Sequence, residues 1–214
     1  DLANHTDIYI IYNINIINNL PQKYIVYNFE QLNTKRKWPE AFFIKLKNAL
    51  MVFDYSKINI NILKKKNIDA FFIPFGWTPI IEPEFDISLN DKSLDLIFLG
   101  CNNSRRSDII KKIDIDIIKD EKCFYNKYEL LTKKAKFSLN IHYYDGGTIL
   151  ELTRIIPLIC RGVIVISERS SDKFYDYIFD DICIFVDNFD NINEIIKSYD
   201  FNKCIENKMK LIKK

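Results

Sequence analysis

Two places in the sequence combine glycine with groups that could bind a phosphate, and the first is the turn after the apolar segment Leu94–Leu99. Gly100 ends this segment, and a polar turn leads to a predicted helix that starts near Ser104 and carries Arg105 and Arg106 in its first turn. An anion at the helix N-terminus would be stabilised by free N–H groups and by both guanidinium groups. Two solvated arginines on a surface helix are the alternative interpretation. The turn lacks GxGxxG and GxxxxGKS/T, so neither a dinucleotide-binding turn nor a P-loop is indicated.

The second place is the polar segment that follows a strand predicted at residues 137–141. His142, Tyr143 and Tyr144 come directly after that strand, and Gly146 and Gly147 follow one residue later. The chain has only five glycines in 214 residues, so a glycine pair at a strand end indicates positive φ or a close backbone approach. Both simple turn chemistry and the approach of a ligand are compatible with this pair.

Three polar residues, Thr148, Glu151 and Arg154, lie at the start of the helix predicted after the glycine pair. Thr148 and Glu151 have the spacing of a capping box, and Glu151 and Arg154 are three residues apart, so they could form an ion pair on one helix face. These structural roles compete with a role in ligand binding. Pro157 is expected to kink or shorten the helix, and Gly162 is predicted to cap its C-terminus.

Few groups in the sequence could accept a proton near neutral pH. The chain contains two histidines, His5 and His142, and the imidazole side chain is suited to proton transfer in this range. His142 stands among polar and aromatic residues at a strand end, whereas His5 lies near the terminus, before the first predicted strand. A carboxylate in the N-terminal half, such as Glu30, is a third candidate.

Short apolar runs alternate with amphipathic stretches, and this rhythm predicts an α/β fold with largely parallel sheets. We predict strands at residues 8–12, 24–28, 49–53, 70–73, 94–99, 137–141, 163–167 and 182–186, and helices at 38–47, 58–65, 105–113, 127–134, 149–159, 172–179, 192–199 and 202–213. The stretch 78–91 contains two prolines and several acids without a periodic pattern, which indicates a boundary. We therefore expect two Rossmann-like lobes, a reduced one at residues 1–85 and a second at 86–214, with ligands beyond the carboxyl ends of the strands.

Composition argues against several classes of protein. The 31 basic and 29 acidic residues give a net charge of only +2, which does not favour nucleic acid as a partner. No apolar run reaches the roughly 18 residues of a membrane span, and the first residues do not resemble a secretory signal, so we expect a cytoplasmic protein without a transmembrane segment. Five scattered cysteines without CxxC spacing argue against a disulfide framework or a zinc site. Asp114 and Asp116 have D-x-D spacing, but they follow a predicted helix in an Ile/Asp/Lys stretch, and we expect no metal there.

The order of these motifs resembles a known class of enzymes. LNIHYY, a loop with glycines, the pair Glu151 and Arg154, a glycine and then VISE follow one another between residues 139 and 168. This order is similar to the donor-binding half of GT-B glycosyltransferases, in particular the compact enzymes of bacterial surface-glycan loci and giant viruses. The resemblance covers about residues 94–186, and YIVYNFEQL at residues 24–32 is similar to their N-terminal half.

The resemblance implies that the C-terminal half binds a nucleotide-sugar donor and that the acceptor approaches from the N-terminal half. The implied donor-binding residues are Gly100, Asn102, Ser104 and Arg105 near the diphosphate, Tyr143, Tyr144, Gly146, Gly147 and Thr148 facing the sugar and phosphates, and Glu151, Arg154 and Glu168 orienting the donor or the loop. The sequence departs from the family pattern in one respect. Its E-x7-E signature is incomplete, because no acid precedes Gly162 where the glutamate that binds ribose is usual.

The predicted function is transfer of a sugar from a nucleoside-diphosphate sugar to a hydroxyl acceptor, in the synthesis of a glycan or glycoconjugate. The location would be the cytoplasm, or the host-cell cytoplasm if the gene is viral. No cofactor or metal is expected, because helix N-termini and cationic side chains can stabilise the diphosphate leaving group. His142, Glu30 and His5 are the candidate bases, and a reaction that retains configuration would need none. The alternative is a non-catalytic nucleotide- or glycan-binding module of the same fold; an oxidoreductase or epimerase is disfavoured because GxGxxG is missing.

Overall fold

The computed structural model of the protein describes residues 7–75 and 92–205, and these residues form two compact units. Unit 1 contains residues 7–75 together with Tyr144–Ile149, and unit 2 contains residues 92–143 and 150–205. The predicted boundary between residues 85 and 86 lies outside the described residues. The same is true of His5 and of the part of the last predicted helix that follows residue 205.

Unit 1 is a parallel sheet with two helices packed on one of its faces. Its strands are β1 (Tyr9–Ile11), β2 (Tyr24–Asn28), β3 (Met51–Asp54) and β4 (Phe71–Phe72), which lie in this order. Helix α1 (Glu40–Lys47) connects β2 to β3, and helix α2 (Lys57–Lys65) connects β3 to β4. The core lies between the sheet and these helices, and among its buried side chains are those of Val26, Val52, Phe42, Leu46 and Leu63.

The opposite face of the unit 1 sheet is apolar and largely exposed. The strand register places Ile10, Ile25 and Met51 side by side, and it places Phe53 beside Phe71 on the same face. Ile10, Met51 and Phe71 are 59%, 40% and 54% exposed. Because parallel sheets are usually covered on both faces, the exposed apolar side chains on this face favour association with other molecules.

We therefore expect the 214-residue chain to self-associate through this face. Sedimentation velocity over a range of concentrations should show oligomers in the wild type, and the double substitution Ile10→Lys and Phe71→Lys should shift the distribution toward monomer because it places two charges in the apolar surface. Asn61→Lys, which adds a charge at an exposed position of α2, serves as the control and should leave the distribution unchanged. A wild-type chain that stays monomeric throughout would contradict the expectation.

Unit 2 is a larger parallel sheet with the strand order β6-β5-β7-β8-β9. The strands are β5 (Leu94–Leu99), β6 (Ile117–Asp120), β7 (Ala135–Asn140), β8 (Ile164–Glu168) and β9 (Ile184–Val186), and the helices are α3 (Ser104–Ile110), α4 (Tyr125–Lys134), α5 (Leu152–Cys160), α6 (Lys173–Ile178) and α7 (Ile192–Ser198), with residues 201–205 also helical. From β5 the chain moves to β6 on one side and then to β7 on the other. This reversal creates a topological switch point between the carboxyl ends of β5 and β7, where ligands bind in open α/β sheets.

The fold class predicted from the sequence is confirmed, and the main local differences concern two elements. Strands β2 and β5 have the predicted bounds, whereas β6 was not predicted and α5 begins at Leu152 rather than at residue 149. Helix α5 continues past Pro157 to Cys160, and Gly162, which follows the C-cap residue Arg161, has the positive φ of 64° expected of a glycine that ends a helix. In the part of the chain that the structure describes, none of the helices is both long and apolar enough to cross a membrane.

Candidate functional site

A cluster of charged side chains lies at the switch point of unit 2. We define the charged cluster as Arg105 and Arg106 of α3, His142 after β7, Glu151 and Arg154 at the start of α5, and Glu168 at the end of β8. Asn103 is the N-cap residue of helix α3, and its side-chain oxygen accepts a hydrogen bond from the Arg106 N–H at 2.9 Å. Asn103 also donates to the Tyr143 carbonyl at 2.8 Å, so the turn after β5 is tied to the turn after β7.

Arg105 forms an ion pair with Glu168 inside the cluster. Its two terminal nitrogens donate to the two carboxylate oxygens, one of them at 3.1 Å, and Nη1 also donates to the His142 carbonyl at 2.9 Å. The backbone N–H of His142 also donates to the Glu168 carboxylate, at 2.7 Å. The predicted contact of Arg105 with a diphosphate remains a prediction, and it would require Arg105 to share its guanidinium between Glu168 and the ligand.

Arg106 has a structural position that the sequence did not reveal. Its side chain is 2% exposed, and its guanidinium donates to the carbonyls of Ile141 and Cys101, with Nε at 3.0 Å from the Ile141 oxygen. Burial, followed by the nearby charge of Arg154, lowers the pKa of Arg106 to about 10. The group is therefore still charged at neutral pH, and it joins the carboxyl ends of β5 and β7 through their carbonyl groups.

His142 and Glu151 form a buried ion pair. The imidazole Nδ1 lies 3.0 and 2.9 Å from the two carboxylate oxygens of Glu151, and Nε2 lies 3.3 Å from the Arg169 carbonyl. Burial alone would lower the pKa of His142, but the carboxylates of Glu151 and Glu168 outweigh it and raise this pKa above its usual value. Conversely, burial favours the neutral form of Glu151, but the charge and hydrogen bond of His142 hold the Glu151 pKa below its usual range. Both ring nitrogens of His142 face acceptor oxygens, an arrangement that suits the protonated imidazole with an N–H donor at each nitrogen.

Asn140 connects this ion pair to Arg154. Its Nδ2 donates to Glu151 and to Ser167, both at 2.9 Å, and its Oδ1 accepts from Arg154 Nη1 at 2.9 Å. Arg154 donates to Asn140 and forms no ion pair with Glu151, although their spacing made such a pair possible. Glu151 is itself the N-cap residue of α5, so the alternative that Thr148 and Glu151 form a capping box does not apply.

A cavity of about 630 Å³ opens beside the charged cluster within unit 2. Gly100, Glu151 and Arg154 contribute to one side of it, and the lining residues are Leu99, Gly100, Cys101, Glu121, Cys123, Phe124, Tyr125, Tyr128, Glu151, Thr153, Arg154, Pro157 and Arg161. Gly100 has a φ of 154°, and a Cβ there would lie 2.9 Å from Arg154 Nη2. Glycine at this turn thus leaves room for the Arg154 guanidinium. Among the described residues, the other N–H groups of Arg154 have no hydrogen-bond acceptor.

The remaining residues predicted to bind the donor fall into both units. Asn102 and Ser104 are exposed near α3 in unit 2, where Asn102 donates to Ser107 at 2.8 Å. Tyr143 is also exposed in unit 2. The residues of the glycine loop, Tyr144, Gly146, Gly147 and Thr148, belong to unit 1.

The glycine loop is held by other residues of unit 1. Gly147 has a φ of 64°, and a Cβ there would lie 1.9 Å from the Asn33 carbonyl oxygen. Gln31 donates to the Ile149 carbonyl at 2.7 Å. The glycine pair is therefore explained in part by close approach of the backbone within unit 1.

Glu30, the third candidate base, lies in unit 1 directly after the carboxyl end of β2. Its backbone carbonyl accepts hydrogen bonds from Asn28 and Asn59, and the latter also donates to the buried Asp54. Burial raises the pKa of the half-buried Glu30 carboxyl, although the charge of Arg36 opposes this. Its role as a base remains a prediction, as does that of His142, whereas His5 lies outside the described residues.

Several features of the site were not found by reasoning from the sequence. The cavity wall formed by Glu121, Phe124, Tyr125 and Tyr128 carries no motif, and its position depends on β6, which was not predicted. Asn140 could be recognised in the sequence only as a polar residue at the end of an apolar strand. Within residues 7–75 and 92–205, no three His, Cys, Asp or Glu side chains are grouped so that they could bind a metal ion.

Comparison with known proteins identifies the fold and gives no information on the reaction. The sequence matches no known family profile. It is 30% identical over 181 residues to an uncharacterized protein of Acanthamoeba polyphaga mimivirus, an alignment that covers 80% of this chain and only 60% of that protein. The structure is similar to the sucrose-phosphate synthase of Thermosynechococcus elongatus, with a TM-score of 0.56 over 88% of this chain and 62% of the synthase chain.

The fold is GT-B-like. At 12% sequence identity, the likeness to the synthase concerns the fold alone. The two parallel sheets of four and five strands agree with it. The activity, the donor and the acceptor therefore have to be argued from the residues of the site.

The buried ion pair predicts a pH dependence of stability. The pKa of His142 in the folded protein is raised above its usual value of 6.5. The stabilisation that protonated His142 gives the folded state is therefore complete below pH 6.5 and is lost as the pH rises through the folded-state pKa. Between the two values the free energy of unfolding should fall by up to about 1.4 kcal/mol per pH unit. Urea denaturation of the wild type and of His142→Gln from pH 6 to pH 9 measures this slope, which the variant should lack. Parallel curves for the two proteins would refute the assignment of a charged His142.

Proposed function

We propose that the protein transfers a sugar from a nucleoside-diphosphate sugar to a hydroxyl acceptor, and that unit 2 binds the donor in the cavity beside the charged cluster. The observation that carries this proposal is the position of Arg154. It lies at the switch point of a GT-B-like sheet, lines a cavity of about 630 Å³ and keeps N–H groups without an acceptor among the described residues. The volume is within the usual range for a small-molecule site.

Charge supports a diphosphate as the group bound there. The charged cluster contains three arginines against the two carboxylates Glu151 and Glu168, and these carboxylates raise the pKa of His142 above its usual value. The excess of positive charge favours an anionic ligand, and Arg guanidinium groups match the geometry of phosphate oxygens. As the bond to the sugar breaks, negative charge grows on the diphosphate, and fixed cations stabilise that charge without a metal ion.

Gly100 and Glu151 complete the proposed donor site. Without a side chain at Gly100, the ligand and the Arg154 guanidinium can approach the end of β5. The carboxylate of Glu151 is held in its ionised form beside the cavity by His142 and Asn140, and it can accept hydrogen bonds from hydroxyl groups of the donor. The ion pair thereby gives Glu151 a fixed position and charge.

The identity of the base bears on the alternative function. The contact of Nδ1 with Glu151 and the raised pKa of His142 favour the protonated imidazole, which cannot accept a proton. This leaves Glu30 as a candidate base, or a retaining reaction in which no side chain takes the proton of the acceptor. The same observation favours the second candidate, a non-catalytic nucleotide- or glycan-binding module. Incubation with nucleotide sugars discriminates between them, because a pure binding module releases no free sugar and forms no glycoside.

Calorimetric titration with UDP, GDP and TDP, with and without EDTA, tests the donor site. Replacement of Arg154 by Gln should weaken the binding of a nucleoside diphosphate by roughly 10- to 100-fold, because hydrogen bonds to charged groups contribute about 1.5–3 kcal/mol. Lys111→Gln is the control, since the exposed Lys111 side chain pairs with Asp108 and does not line the cavity. Equal affinities of Arg154→Gln and wild type, or no binding of any nucleotide by the wild type, would rule out this site.

A further inference from the structure

The cavity of unit 2 has a second wall, formed largely by residues 121–125, to which the proposed function assigns no role. This segment begins where β6 ends, and the Gly100 N–H donates to the Asp120 carbonyl at 3.0 Å. Because neighbouring strands lie about 4.8 Å apart, the segment starts one strand spacing from the proposed diphosphate position. A nucleotide whose diphosphate contacts Arg154 can therefore extend its base toward this wall.

Two aromatic rings of the wall are exposed rather than packed. Phe124 is 66% exposed and Tyr125 is 89% exposed, although both line the cavity. Tyr125 also has a φ of 50°, a left-handed conformation that costs a residue other than glycine free energy and that persists at functional sites. Exposed flat rings beside a cavity are suited to stack on a planar base.

Glu121 is the charged group of the wall that has no partner among the described residues. The neighbouring Asp120 pairs with Lys127 and accepts from the Lys122 N–H, whereas Glu121 forms neither an ion pair nor a side-chain hydrogen bond there. Glu121 lines the cavity on the same segment as the two rings. It is thus a hydrogen-bond acceptor on the segment that carries the two rings.

We propose that residues 121–125 bind the nucleobase of the donor and that Glu121 selects guanine. The proposal rests on the proposed function of unit 2. Guanine presents the N1–H and the 2-amino group side by side, and a carboxylate can accept both hydrogen bonds at once. Uracil presents a single N3–H between two carbonyl oxygens, and the carboxylate repels these oxygens because both carry negative charge. The negative charge of Glu121 therefore favours guanine and disfavours uracil by the same interaction.

The affinities of GDP, IDP and UDP, measured by calorimetry, test the role of Glu121. IDP lacks only the 2-amino group, so the expected order of affinity is GDP, then IDP, then UDP, with GDP roughly tenfold or more tighter than UDP. Glu121→Gln should weaken GDP by about tenfold and leave UDP unchanged or improved. Glu194→Gln, a control on the exposed surface of α7, should change neither.

Substitution of Tyr125 should affect both nucleotides, unlike substitution of Glu121. Tyr125→Ala should weaken GDP and UDP by a similar factor, because stacking does not depend on the identity of the base. Tyr177→Ala is the control, since Tyr177 is another exposed tyrosine, on α6, that does not line the cavity.

Two outcomes separate the failure of this inference from failure of the proposed function. If UDP binds as tightly as GDP, or if Glu121→Gln weakens all three nucleotides equally, guanine selection by Glu121 is overturned while the donor site stands. If none of the three nucleotides binds to the wild type, the proposed function itself is overturned, and the inference falls with it.

Discussion

The arrangement of the site depends on the buried ion pair between His142 and Glu151. Two ionised groups removed from water are costly unless each is paired and hydrogen-bonded, and here Asn140 and the Arg169 carbonyl complete the partners of the pair. Because His142 follows β7 and Glu151 begins α5, the pair fixes the start of this helix relative to the sheet. That position in turn places Arg154, one turn further along, at the edge of the cavity.

The arginines of the charged cluster have different tasks. Arg106 is buried and donates to backbone carbonyls of two strand ends, and Arg105 pairs with Glu168. Only Arg154 combines a cavity position with N–H groups that have no acceptor among the described residues. The first two therefore stabilise the switch point and supply positive charge at a distance, while the third is the one placed to donate directly to an anion.

The sequence predicted the elements whose residues have a strong pattern. The largely apolar runs of β2 and β5 are typical of buried parallel strands, and both strands have the predicted bounds. Strand β6 was missed because it is a short edge strand whose two isoleucines are followed by two charged residues, so it lacks the alternation that indicates a strand. The cavity wall after β6 could not be placed for the same reason. The partners of His142 and Arg106 were also unpredictable, because they depend on how strand ends meet in the sheet and not on spacing along the chain.

A crystal structure of the protein with a bound nucleoside diphosphate tests the central claim, which is that unit 2 binds a nucleotide in the cavity beside the charged cluster. The account predicts phosphate oxygens within hydrogen-bond distance of the Arg154 guanidinium, close to Gly100, and the base against the ring of Tyr125. A nucleotide bound elsewhere, with the cavity empty and Arg154 still directed only at Asn140, would contradict it.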